Sequence, residues 1–96
     1  MSDEKLVSIY VSRTCPACKA YIYQLVELCD KHEFSYETYI LEYSPIKTYK
    51  ALNEARENGA IIDHAPFITI KSPSKYKAIG GILDAKTITK LLKKYG

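Results

Sequence analysis

Leu6-Val7-Ser8-Ile9-Tyr10-Val11-Ser12-Arg13-Thr14-Cys15-Pro16-Ala17-Cys18 decides the reading of this chain. Its first six residues are apolar and rich in branched side chains, with Val7, Ile9 and Val11 alternating. Such a run is a short buried strand. Pro16 suits the first position of a helix, where its missing N–H costs nothing. Beyond it Cys18, Ile22, Leu25 and Cys29 fall at i, i+4, i+7 and i+11, one face of a helix that runs to about Lys31. Two thiols three residues apart at a strand-to-helix junction can close a disulfide and open it again.

The pattern continues outward from this stretch. Phe34 to Leu41 alternates, with Phe34, Tyr36, Thr38 and Ile40 against Ser35, Glu37, Tyr39 and Leu41, and predicts a second strand. Ser44-Pro45 reads as an N-cap and first-turn proline. A helix through Tyr49, Leu52 and Ala55 follows, and Gly59 stops it. Phe67 to Lys71 and Tyr76 to Ile79 flank the turn signal Ser72-Pro73-Ser74 and read as a hairpin. Past Gly80-Gly81, Asp84 can cap a last helix whose apolar positions are Ile88, Leu91, Leu92 and Tyr95. The order β-α-β-α-β-β-α makes an α/β fold.

Ninety-six residues, 47% of them hydrophobic, make one domain over 1–96 with one core. No apolar run reaches the roughly 18 residues of a membrane span. The start, Met1-Ser2-Asp3-Glu4-Lys5, is polar and carries no cleavage signal. The expectation is a soluble, cytoplasmic protein with no membrane partner. The charge is uneven: residues 1–70 sum to −3, whereas 71–96 sum to +6, with seven lysines against Asp84. That end is a solvated lysine face or a surface for an acidic partner or anionic thiol. No nucleic-acid-binding motif accompanies it.

Three cysteines, two of them clustered, do not make a secreted disulfide scaffold. A C-x-x-C in a reducing compartment is catalytic or metal-binding. A structural zinc site needs four ligands, usually two pairs. There is no second C-x-x-C, and His32 and His64 stand at unrelated spacings. The redox reading is therefore preferred over a zinc half-site, and no metal is expected. The nucleophile is the thiolate, and a free thiol near pKa 8.5 is mostly protonated at neutral pH. Cys15, placed in the first turn, gains from the unpaired N–H groups and positive dipole end there, with Arg13 and Lys19 close in sequence. Cys18, one turn further in, is expected to be more buried. Cys29 lies about 16 Å along the helix from Cys18 and reads as a core residue.

The chain resembles the glutaredoxin family of the thioredoxin superfamily. Four landmarks carry the resemblance: strand then Thr14-Cys15-Pro16-Ala17-Cys18 then helix; Ala65-Pro66 opening the third strand; Gly80-Gly81 after the hairpin; and Asp84 three residues past the second glycine. The resemblance implies a thioredoxin-like fold, a central four-stranded mixed sheet flanked by three helices. It implies a glutathione-dependent thiol-disulfide oxidoreductase with Cys15 as nucleophile and Cys18 as resolving thiol. Arg13, Ala17, Ala65, Pro66, Gly81, Ile82 and Asp84 would form the substrate or glutathione site. A cis Ala65–Pro66 bond would shape its ledge, and the turn from Gly81 to Asp84 would receive the γ-glutamyl carboxylate. Glutathione is the implied reductant, disulfide-bearing proteins such as ribonucleotide reductase the implied clients, and a monomer the implied state.

This sequence departs from the family pattern at three places. Ala17 replaces the common tyrosine or phenylalanine between proline and cysteine; Ser12 stands where a basic residue is usual; and His64 stands where threonine is common. Thioredoxin itself is the alternative relative, but its Trp-Cys-Gly-Pro-Cys is absent and the chain has no tryptophan. The other functions considered are a thioredoxin-like protein recycled by a thioredoxin reductase, a glutathione-dependent iron–sulfur cluster carrier, and a non-catalytic interaction domain that docks through its lysine-rich end.

Overall fold

A computed structural model describes residues 5–43, 46–73 and 75–95. In chain order they form β1 (Leu6–Val11), α1 (Cys18–Lys31), β2 (Ser35–Ile40), α2 (Ile46–Glu57), β3 (Phe67–Ser72), β4 (Lys75–Gly80) and α3 (Ala85–Tyr95). The described strands make a four-stranded sheet in the order β2-β1-β3-β4. β1 runs parallel to β2 and antiparallel to β3, and β3 pairs antiparallel with β4. The strands and helices lie within about two residues of where the residue pattern predicts them. The Ser44-Pro45 cap, Ser74 and Met1 to Glu4 lie outside the described residues.

β1 is central, and every residue from Val7 to Val11 is buried. Its alternation therefore divides two apolar layers rather than core from water. On one face Val7, Ile9 and Val11 join Ile68 and Ile70 of β3, and α1 and α3 cover them with Tyr21, Leu25, Cys29, Ile88 and Leu92. On the other face Tyr10 stacks on Tyr39 with ring centroids 5.2 Å apart, and Phe67 joins them beneath Ala51 and Leu52 of α2.

Two sequence expectations shift. The β2 set Tyr36, Thr38 and Ile40 is exposed, and Tyr39 is buried instead. β2 is an edge strand, so α1 leaves Tyr36 and Ile40 uncovered while Tyr39 gains the Tyr10 ring. In α2 the expected core residue Tyr49 is 64% exposed, and Thr48 and Ala55 are the buried positions. A close-packed helix against a sheet that already holds three large rings has room for small residues at its contact.

The helix ends follow local rules in one case and break them in another. After α2, Gly59 adopts φ +88 while its N–H donates to the Arg56 carbonyl and that of Ala60 to the Ala55 carbonyl. This is a Schellman ending with glycine at its left-handed position. After α1 the N–H of Phe34 reaches back to the Cys29 carbonyl in the same way, but the left-handed position is Glu33, at φ 62.

Candidate active site

The β1 strand ends at Val11, and the chain turns through Ser12, Arg13 and Thr14 to Cys15. Regular α1 starts at Cys18, two residues later than Pro16 implies. The reason is a tight opening turn: the Cys18 N–H donates to the Cys15 carbonyl at 3.2 Å, and the first α-type bond is Tyr21 N–H to the Ala17 carbonyl. Ala17 is the N-cap residue, exposed and without a side-chain cap. Cys15 therefore precedes the first turn of α1 instead of sitting within it.

Cys15 and Cys18 are joined as a disulfide, with Cα atoms 5.4 Å apart. Cys15 is half-buried and Cys18 is 3% exposed, so an incoming group meets Cys15 first. Cys29 is free and fully buried on the α1/α3 side. Burial, with a smaller contribution from Asp30, pushes its thiol up to about 12. Cys29 is a core residue, as its place on the helix face suggests.

The other residues expected at the site lie at the start of β3 and after β4. The Ala65–Pro66 peptide bond is cis; Pro66 is buried, and Ala65 is half-buried against the same core as Cys15. The Pro66 carbonyl accepts the Gly81 N–H at 2.9 Å, and Gly81 takes φ +88, a conformation open to glycine at little cost. Ile82 projects into solvent, 57% exposed. Asp84 is exposed, and its Oδ1 accepts the Thr87 N–H at 2.9 Å. Hydrogen bonds from Thr87 hold the Asp84 carboxyl below the usual range. Of these expected residues, Gly81 has its N–H engaged by Pro66 and Asp84 has its carboxylate engaged by Thr87.

Two residues that sequence reasoning passes over brace this region. The hydroxyl of buried Tyr21 accepts the Leu83 N–H at 3.2 Å and ties α1 to the segment between Gly81 and α3. Glu42, just past β2, binds the loop before Cys15 through the Arg13 N–H at 3.0 Å and the Ser12 hydroxyl. Those hydrogen bonds, Ser12 first, hold its carboxyl below the ordinary value, and the nearby Arg13 charge adds to the effect. Glu42 lies 27 residues from Cys15, and only the parallel pairing of Val11 with Ile40 brings it there.

His64 meets Asp63 and Phe67. Its Nδ1 lies 2.8 Å from Asp63 Oδ1, and its ring meets the edge of Phe67 at 5.2 Å. Phe67 belongs to the α2-side layer, the face away from α1. A Cβ on Gly80 would come within 2.5 Å of the His64 ring, so that glycine makes room for the imidazole. A cavity of about 290 Å³ between Glu54, Lys71 and Tyr76 lies at the other end of the sheet, where Lys71 pairs with Leu6. Among the described residues no group of three or more His, Cys, Asp and Glu side chains converges to hold a metal ion. No helix of the described residues is long and apolar enough to cross a membrane.

The β2-β1-β3-β4 sheet, its helices on both faces and the dithiol after β1 invite comparison with solved structures. The chain has a thioredoxin-like fold. It superposes on chloroplastic thioredoxin z with a TM-score of 0.71 at 16% identity, covering 97% of this chain and 79% of that one. A thioredoxin-like protein from Clostridium perfringens gives a TM-score of 0.68 at 20% identity, covering 97% and 71%. Thioredoxin O2 from Arabidopsis thaliana in its oxidised state gives 0.66 at 16% identity, covering 97% and 76%. No protein-family model and no curated protein sequence matches the chain. At these identities the likeness establishes the fold.

Proposed function

We propose that the protein is a dithiol oxidoreductase of the glutaredoxin type, acting on protein disulfides and glutathione mixed disulfides. The observation that carries this reading is the Cys15–Cys18 disulfide itself, with Cys15 half-buried, Cys18 buried, and Ala65 packed against the same core as Cys15. In the reduced protein the Cys15 thiolate attacks one sulfur of a client disulfide. The client S–S bond breaks, a Cys15–client bond forms, and the other client sulfur leaves as a thiolate that takes a proton. Cys18 then gives up its proton and attacks Cys15, closing the bond seen here and releasing the second client thiol. Two glutathione molecules, oxidised to their disulfide, restore the pair. Ala65 supplies backbone N–H and C=O to an extended substrate. With the Gly81 N–H engaged by Pro66 and the Thr87 N–H by Asp84, the Ala85 and Lys86 N–H groups at the start of α3 are the donors for a substrate carboxylate. A glutaredoxin-like potential is about −200 to −230 mV, against about −270 mV for thioredoxin.

Turnover in a coupled assay with glutathione and its reductase tests this. Cys15→Ser abolishes activity on every disulfide, whereas Cys18→Ser keeps activity on glutathione mixed disulfides and loses it on protein disulfides. Full activity in the Cys15→Ser protein ends the assignment. A second reading, recycling by a thioredoxin reductase, is favoured by the thioredoxins among its structural neighbours. Running the assay beside one with thioredoxin reductase decides between the two reductants.

A further inference from the structure

We propose that Glu42 is a positioning residue for the cysteine pair, holding the Ser12–Cys15 loop in the conformation that keeps the two sulfurs within bonding reach. The inference rests on the dithiol reading above. Both oxygens of the Glu42 carboxylate serve that loop: Oε1 accepts the Arg13 N–H at 3.0 Å, and Oε2 accepts the Ser12 hydroxyl. A serine hydroxyl has one proton, and here the carboxylate takes it. Thr14 must then supply the proton between Thr14 Oγ1 and Ser12 Oγ, which lie 2.9 Å apart. The Thr14 N–H donates to the same Ser12 oxygen at 3.2 Å, and the Cys15 N–H donates to the Ser12 carbonyl at 3.2 Å. One charged acceptor thus fixes Ser12, whose hydroxyl and carbonyl oxygens hold the Thr14 and Cys15 N–H groups. Bonds to an ionised acceptor are the stronger kind.

Removing this anchor acts on the redox pair in two ways, both of one sign. A loosened loop lowers the effective concentration of Cys15 at Cys18, which weakens the disulfide. Loss of a negative charge near Cys15 favours its thiolate, and so the reduced form. Each makes the bond easier to reduce.

The test equilibrates the whole protein, as wild type, Glu42→Ala and Glu42→Gln, with mixtures of reduced and oxidised glutathione. Thiols are then trapped with an alkylating reagent and counted by mass. Glu42→Ala is expected to weaken the disulfide about 10-fold, equal to about 30 mV for a two-electron couple. Glu42→Gln keeps the shape and one acceptor without the charge, so it falls between the two and stands in if the alanine variant folds poorly. Amide exchange at Arg13, Thr14 and Cys15 rises in Glu42→Ala while Ile9 and Ile70 stay protected. Unchanged equilibria in both variants overturn the role of Glu42 and leave the dithiol reading intact, even if melting temperature falls. A wild-type pair that does not exchange with glutathione at all removes the dithiol reading, and this inference with it.

Discussion

Tyr21→Phe isolates one hydrogen bond between the helix that carries Cys18 and the chain that leads into α3. The ring of Tyr21 is 3% exposed and packed in the α1/α3-side core, and phenylalanine keeps it there. What is lost is the oxygen that accepts the Leu83 N–H at 3.2 Å. An unpaired buried donor costs roughly 1–3 kcal/mol. Leu83 is only half-buried, so water recovers part of the loss and the lower end, about 1–1.5 kcal/mol, applies. In a domain of 96 residues each kcal/mol moves the melting temperature by about 4–8 °C, so a fall of roughly 4–12 °C is expected. Thermal unfolding followed by circular dichroism reads it, and amide exchange at Leu83 should quicken. Tyr23→Phe is the control, since Tyr23 sits on the same helix 66% exposed and should change stability by less than about 0.5 kcal/mol. Equal melting of the two variants would show that the Tyr21 hydroxyl braces nothing.

Other outcomes follow from the same geometry. Asp84→Ala should lower the melting temperature at pH 7, and Asp84→Asn, which can also cap but without the charge, should lower it less. The folded Asp84 carboxyl is held below its ordinary value of 3.8, so its stabilisation is present above that value and is lost as pH falls through the folded pKa. The deficit of the alanine variant should therefore shrink below about pH 3.8 to what a neutral cap supplies, and a deficit unchanged by acid would refute the carboxylate's part in the cap. With its thiol raised to about 12 and no exposure, Cys29 should resist alkylation in the reduced native protein, leaving Cys15 and Cys18 to react until the chain is unfolded. Two backbone substitutions should have opposite signs: Gly81→Ala, at φ +88, should cost about 1–2 kcal/mol, and Glu33→Gly, at φ 62, should gain about 1 kcal/mol. Denaturant titration measures both, and a shift of the same sign in the pair would break the argument from left-handed backbone.

Local chemistry made much of the molecule readable before any coordinates. Branched residues at Val7, Ile9 and Val11, the Asp84 cap and the Gly59 stop each act within a few neighbours, so strands and helices could be placed from residue pattern alone. The spacing of Cys15 and Cys18 likewise decides that they can bond, because three residues around one tight turn bring two Cα atoms to the 5.4 Å found here. The resemblance supplied the cis Ala65–Pro66 bond.

What depends on strand order was not readable. Tyr36 and Ile40 look like core in an alternating run, and they are exposed because β2 lies at the sheet edge. The end of α1 shows no glycine, since Glu33 is held left-handed by the burial of Phe34 beside it. Tyr21 and Glu42 carry no local signal at all, for their partners are Leu83 and the Ser12–Arg13 loop. Short-range patterns could say which backbone forms and which sulfurs can meet. Only the packing of β1 between β2 and β3, which joins segments distant in the chain, decided what surrounds those sulfurs.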